Sequence, residues 1–134
     1  MRTARRIWVT VSENGDGSAA LTLESAAVGG VNVIRVTGLL DATTRDQFAD
    51  YLAAEAAEHG ADMVLDLSGV TFMDSRALGL IVHQWQVSTA EGGRFALIGV
   101  EYAKTRVMWI TGLAQRLPLY DTIDDALAAF GRSA

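Results

Sequence analysis

Asp74 and Ser75 are the residues best placed to do chemistry in this chain. The apolar, strand-like run Val64-Leu-Asp-Leu-Ser-Gly-Val-Thr-Phe-Met73 passes through a short turn and delivers them to the start of an apolar helix. Backbone N–H groups in a helix's first turn lack intrahelical partners and carry the positive end of the helix dipole. A phosphate on a hydroxyl there meets ready donors. Ser75 therefore reads as a switch hydroxyl, and Asp74 as a group that orients it or takes part in phosphotransfer. Both residues also suit a purely structural role, because Asp and Ser are favoured helix N-caps.

Other reactive groups are sparse. His59 and His83 are the two histidines, and with no cysteine they make a poor metal set, so no metal is expected. His83 lies eight positions beyond Ser75 on the same expected helix, about 12 Å away at helical rise, too far to activate the hydroxyl. The G-x-S-x-G elbow and the G-x-x-x-x-G-K-[ST] phosphate loop are both absent. These observations argue against an enzyme and against a cofactor of the chain's own.

At 134 residues, half of them apolar, the chain has the length and core of one domain. A net charge of −5 argues against direct nucleic-acid binding, which draws on clustered Lys and Arg. Arg2, Arg5 and Arg6 form a basic arm too small to choose among a membrane contact, a partner contact and a solvated tail. The absence of cysteine fits a reducing compartment, with the cytoplasm as default. Neither a membrane-spanning apolar run nor a signal-peptide core is visible, so no membrane is expected as a partner.

The surrounding pattern supplies the elements. Ile7 to Val11 alternates like a strand, Glu13 to Ser18 supplies turn chemistry, and Ala20–Ala26 and Val31–Thr37 read as strands around Gly29-Gly30. Thr44-Arg-Asp-Gln47 has the capping-box form and should open a helix with Phe48, Tyr51, Leu52 and Ala56 inward, stopping at Gly60. Met63–Leu67 reads as a buried strand with Asp66 near its end, Thr71 falls in the following turn, and a helix runs from Ser75 to about Ala90. Its stripe is Leu78, Ile81, Val82 and Trp85, with Leu80 and Val87 partly off it, so Leu80 is either buried or part of a docking surface. A strand over Phe95–Val100, a helix over Lys104–Thr111, an edge strand at Leu119-Tyr120 and a terminal helix capped by Thr122 follow.

Asp66-Leu-Ser-Gly-Val-Thr-Phe-Met-Asp-Ser75 resembles the signature of the STAS domain family, specifically its bacterial anti-sigma factor antagonists. Gly38-Leu-Leu-Asp41 is similar to a second run of that family, and the likeness covers roughly residues 20 to 130. The resemblance implies an α/β fold, a single STAS-like domain whose mixed central β-sheet carries about four packed α-helices. That domain would occupy residues 19–134, behind an extension, residues 1–18, with room for an extra strand. It also implies that a partner acting as both anti-sigma factor and serine kinase phosphorylates Ser75. The unmodified form would bind that partner and free a sigma factor, and a separate phosphatase would restore binding. ATP and Mg²⁺ would belong to the kinase.

The same likeness marks the residues expected to support binding or the switch. Asp41 matches a position near the phosphorylation site and also reads as a turn residue. Thr71 matches a position phosphorylated in some relatives and also reads as a plain loop hydroxyl. Many family members continue D-S-S-G-L-G where this chain has Asp74-Ser-Arg-Ala-Leu-Gly79. Arg76 thus adds a cation that would pair with a phosphate, alter kinase selection or face solvent. The alternative function is a non-phosphorylated scaffold or nucleotide- or anion-binding module built on Arg76 and the helix start. The Ile7–Val11 segment leaves a homodimer open.

Overall fold

Period-two alternation along two central strands sets the architecture, because it sends consecutive side chains to opposite faces of one sheet. The structure is a computed structural model and describes residues 9–11, as backbone, and 20–132. Its strands are β1 (Val9–Val11), β2 (Leu21–Val28), β3 (Val31–Leu40), β4 (Met63–Met73), β5 (Phe95–Ile98) and β6 (Leu119–Tyr120). They lie in sequence order in one mixed sheet. The β1–β2 and β2–β3 pairs are antiparallel, and β3–β4, β4–β5 and β5–β6 are parallel. The helices are α1 (Arg45–His59), α2 (Ser75–Ala90), α3 (Arg106–Ile110) and α4 (Ile123–Ala129).

The alternation divides the core into two layers. Ile34, Val36, Met63, Leu65 and Leu67 join Phe48 and Leu52 of α1, Leu78 and Ile81 of α2 and Met108 of α3. Val31, Val33, Val64, Ala96 and Ile98 pack with Ala126 and Leu127 of α4. Three helices therefore cover one face and one covers the other. The connections β3-α1-β4 and β4-α2-β5 join parallel neighbours through a helix, so α1 and α2 both start from the carboxyl end of the sheet.

Several local expectations need correction. β4 does not end at Leu67 but runs on to Met73, so Thr71 sits in a strand rather than a turn, and Asp66 lies in mid-strand. Pairing to β3 carries the extra residues, with register shifts between Arg35 and Thr37 and between Gly38 and Leu39. Gly38 makes this possible: its φ is 114°, an added Cβ would overlap the Ala20 carbonyl oxygen, and that oxygen accepts the Leu39 N–H at 2.9 Å.

The expected capping box at Thr44 does not form. The buried Thr44 hydroxyl donates to the Leu39 carbonyl at 2.7 Å, and the Gln47 amide reaches the Leu21 carbonyl at 3.3 Å. The Thr44 oxygen accepts the Asp41 N–H at 3.2 Å rather than a first-turn donor of the helix. Thr122 does cap α4, accepting the Asp125 N–H at 3.1 Å. The expected strand over Phe95–Val100 ends at Ile98, and Lys104 falls in a tight turn, Tyr102–Lys104, before α3. The expected turn at Glu13–Ser18, and Ile7 and Trp8 of the first strand, lie outside the described residues.

Candidate functional site at the start of the second helix

Register places the site. Leu40 pairs with Met73 across β3 and β4, so Asp41 and Asp74 follow side by side where the two strands end. The Asp74 N–H donates to the Leu40 carbonyl at 3.0 Å and holds the two strand ends together. Asp74 has extended backbone geometry, and its side-chain Oδ1 accepts the Ala77 N–H at 2.9 Å. It is the N-cap of α2, and it satisfies one of the orphan donors of the first turn.

Ser75, the first helical residue, is exposed, as is Arg76. Met73 behind them and Ala77 and Leu78 beyond them are buried, which fixes the turn to the core and leaves the hydroxyl outside. Among the described residues no ion pair engages Arg76.

Asp41 is held by its own loop. Its Oδ1 accepts the Thr43 hydroxyl at 2.6 Å and the Thr43 N–H at 2.9 Å, while its backbone N–H donates to Thr44 Oγ1 at 3.2 Å. The Thr43 hydroxyl is the chief reason its carboxyl ionises below the usual aspartate value, with backbone donors adding to the effect. Asp41, Asp74 and Ser75 thus form an acidic rim with one hydroxyl at the carboxyl end of parallel strands, the end where open α/β sheets present their sites.

The other expected residues are less close. Thr71 is exposed on β4, three residues before Asp74. Leu80 is half-buried and turns toward α1, lining a groove of about 310 Å³ with Ala49, Ala53 and Val87. It lies about 140° around the helix from Ser75, so the two occupy different faces. His83 is exposed two turns along α2. Glu55, Glu58 and His59 converge within 4.8 Å at the end of α1, a local surface cluster whose Glu55 already accepts the Asn32 amide at 3.0 Å.

Apolar surface near the site escaped sequence reading. Phe72 is 50% exposed and pairs in register with Leu39, itself exposed. The 102–104 turn packs against β4, and its Tyr102 meets the Trp109 ring at 5.7 Å, next to Ile110, which is 78% exposed. Simple alternation would have sent Phe72 inward with Val70. The register shift after Gly38 instead leaves both Thr71 and Phe72 outside. Phe72 and Leu39 thus put apolar surface on the outside of the strand ends that lead into the Asp41 and Asp74 rim.

The comparisons with known proteins agree with this geometry. A family model for the STAS domain matches residues 22–126. An anti-sigma F factor antagonist of Paenibacillus polymyxa is 32% identical over 102 residues, covering 73% of this chain and 85% of the relative. The crystal structure of an anti-sigma factor antagonist from Mycobacterium paratuberculosis superposes with a TM-score of 0.68 at 29% identity, over 97% of this chain and 99% of that one. A STAS domain protein from Planctomyces limnophilus, described as an anti-sigma-factor antagonist domain, gives 0.70 at 25% identity, over 81% and 97%. The strand-to-helix corner at Asp74-Ser75, the mixed sheet behind it and these matches lead to one assignment: the chain belongs to the STAS domain family, among its anti-sigma factor antagonists.

Proposed function

We propose that this protein is a partner-switching regulator: its unphosphorylated form binds an anti-sigma factor that is also a serine kinase, frees a sigma factor, and is released when Ser75 is phosphorylated. The observation that carries the reading is the exposed Ser75 hydroxyl on a rigid corner, seated beside the Asp74 cap and flanked by exposed apolar side chains. The module performs no catalysis. ATP and Mg²⁺ sit in the partner, the setting is cytoplasmic, and a separate phosphatase resets the switch.

In the transfer step the Ser75 oxygen bonds to the γ-phosphorus of the partner's ATP. The bond from that phosphorus to the β,γ-bridging oxygen breaks, ADP leaves, and the hydroxyl proton passes to a base of the kinase. The product carries about −1.5 to −2 extra charges at neutral pH, beside the Asp41 and Asp74 carboxylates. A contact that closes over a neutral hydroxyl then faces a bulky dianion. Each ~1.4 kcal/mol of that penalty weakens binding tenfold, so two or three disturbed contacts empty the complex without unfolding either protein.

Incubation with purified anti-sigma serine kinases and ATP, read by intact mass and peptide fragmentation, tests the acceptor. One phosphate is expected on Ser75 and none on Ser75→Ala. In a partner titration Ser75→Ala should bind like the unmodified protein and Ser75→Glu much more weakly. Equal binding by both variants would overturn the switch.

A further inference from the structure

Gly79 lies in the interior of α2, one turn beyond Ser75, and is exposed. Glycine in a helix interior is destabilising relative to alanine, because it loses more backbone freedom on folding and packs no side chain. Every other described glycine has a structural reason for being one. Gly29, Gly30, Gly38, Gly60, Gly92, Gly99, Gly112 and Gly131 have positive φ, and Gly69 and Gly93 lie where a Cβ would collide with β3 or with Ala61. Gly79 has neither: its φ is ordinary and an added Cβ would meet nothing within 4 Å. Neither backbone conformation nor packing within the fold requires the missing side chain.

Ser75 and Gly79 are four residues apart, on the same helix face and about 5–6 Å from each other between side-chain positions. The exposed stripe continues through Gln86, while His83, also exposed, marks its border with the Leu80 groove, which it helps to line. A protein that brings a phosphoryl donor into bonding distance of the Ser75 hydroxyl must cover the next turn of the helix as well. A small anion at the helix start would need only first-turn donors and would leave Gly79 untouched.

We propose that Gly79 is the point of closest approach between α2 and the backbone of the anti-sigma kinase, and that its missing side chain sets whether Ser75 reaches the partner's ATP. This deepens the partner-switching reading and rests on it.

Gly79→Ala and Gly79→Gln test it against a panel of purified anti-sigma serine kinases, with the wild type and Ser75→Glu in the same titrations. Both glycine variants should unfold at higher temperature than the wild type, which removes misfolding as an explanation. Affinity should fall about tenfold for Gly79→Ala and further for Gly79→Gln, with phosphotransfer to Ser75 slowed in the same order. Stabilised variants that bind and accept phosphate like the wild type, while Ser75→Glu is weakened, would overturn the role of Gly79 alone. Ser75→Glu binding as tightly as the wild type, or a wild type that binds none of the kinases, would remove the switch reading and this inference with it.

Discussion

At the residue scale the site is assembled from short-range hydrogen bonds that each do one job. Asp74 closes the helix start through Ala77, and Asp41 is held by Thr43, so neither carboxylate needs Ser75 as a partner. Asp41 also gives a pH signature. Its folded-state pKa is lowered from 3.8, so its contribution to stability is complete above the unfolded value and is lost as pH falls through the folded one. Urea unfolding of the wild type and Asp41→Asn should show a stability difference that is constant above about pH 5 and shrinks as the pH is lowered below 4. A difference unchanged down to acid-induced unfolding would mean that the Thr43 bonds do not favour the carboxylate.

At the scale of elements, the decisive feature is the irregular pairing of β3 with β4, which lengthens both strands and points Phe72 outward. Gly38→Ala should destabilise the protein by at least about 1–3 kcal/mol in urea unfolding, since it combines a strained φ with a collision at Ala20. Gly60→Ala, with positive φ but open space around it, should cost less. The same contrast explains what the sequence reveals. The bounds of α2 are legible because Asp74 is a local cap and Leu78 and Ile81 recur at helical spacing. The end of β4 is not, because its last residues are strand only by virtue of a shifted register with β3, and nothing local to Thr71 or Phe72 encodes that partner. Thr44 departs from its sequence pattern in a similar way: its box is correct in sequence, but in the fold its oxygen accepts the Asp41 N–H while its hydroxyl donates to the Leu39 carbonyl.

At the scale of the whole molecule, three helices on one face and one on the other leave the two sheet edges exposed in different degrees. β6 is a two-residue edge, whereas β2 offers eight residues, of which three pair with β1 among the described residues. Among the described residues both core layers are built from residues between Leu21 and Leu127, so a chain lacking residues 1–18 should still fold cooperatively. Its bare β2 edge should raise self-association, visible as a concentration-dependent increase in sedimentation coefficient. A truncated chain that fails to fold would show that the first 18 residues belong to the domain itself.

The Asp74 cap has a consequence for what kind of signal the protein carries. Asp74 already takes one first-turn donor and Ser75 is exposed, so a phosphate there would disturb no buried contact and would leave the packing of the fold unchanged. The marked and unmarked forms would then resist unfolding and proteolysis equally, and the cell's stock of the protein would stay constant while its marked fraction changed. The message would be a ratio between two equally durable populations, reversible without synthesis or destruction of a single chain.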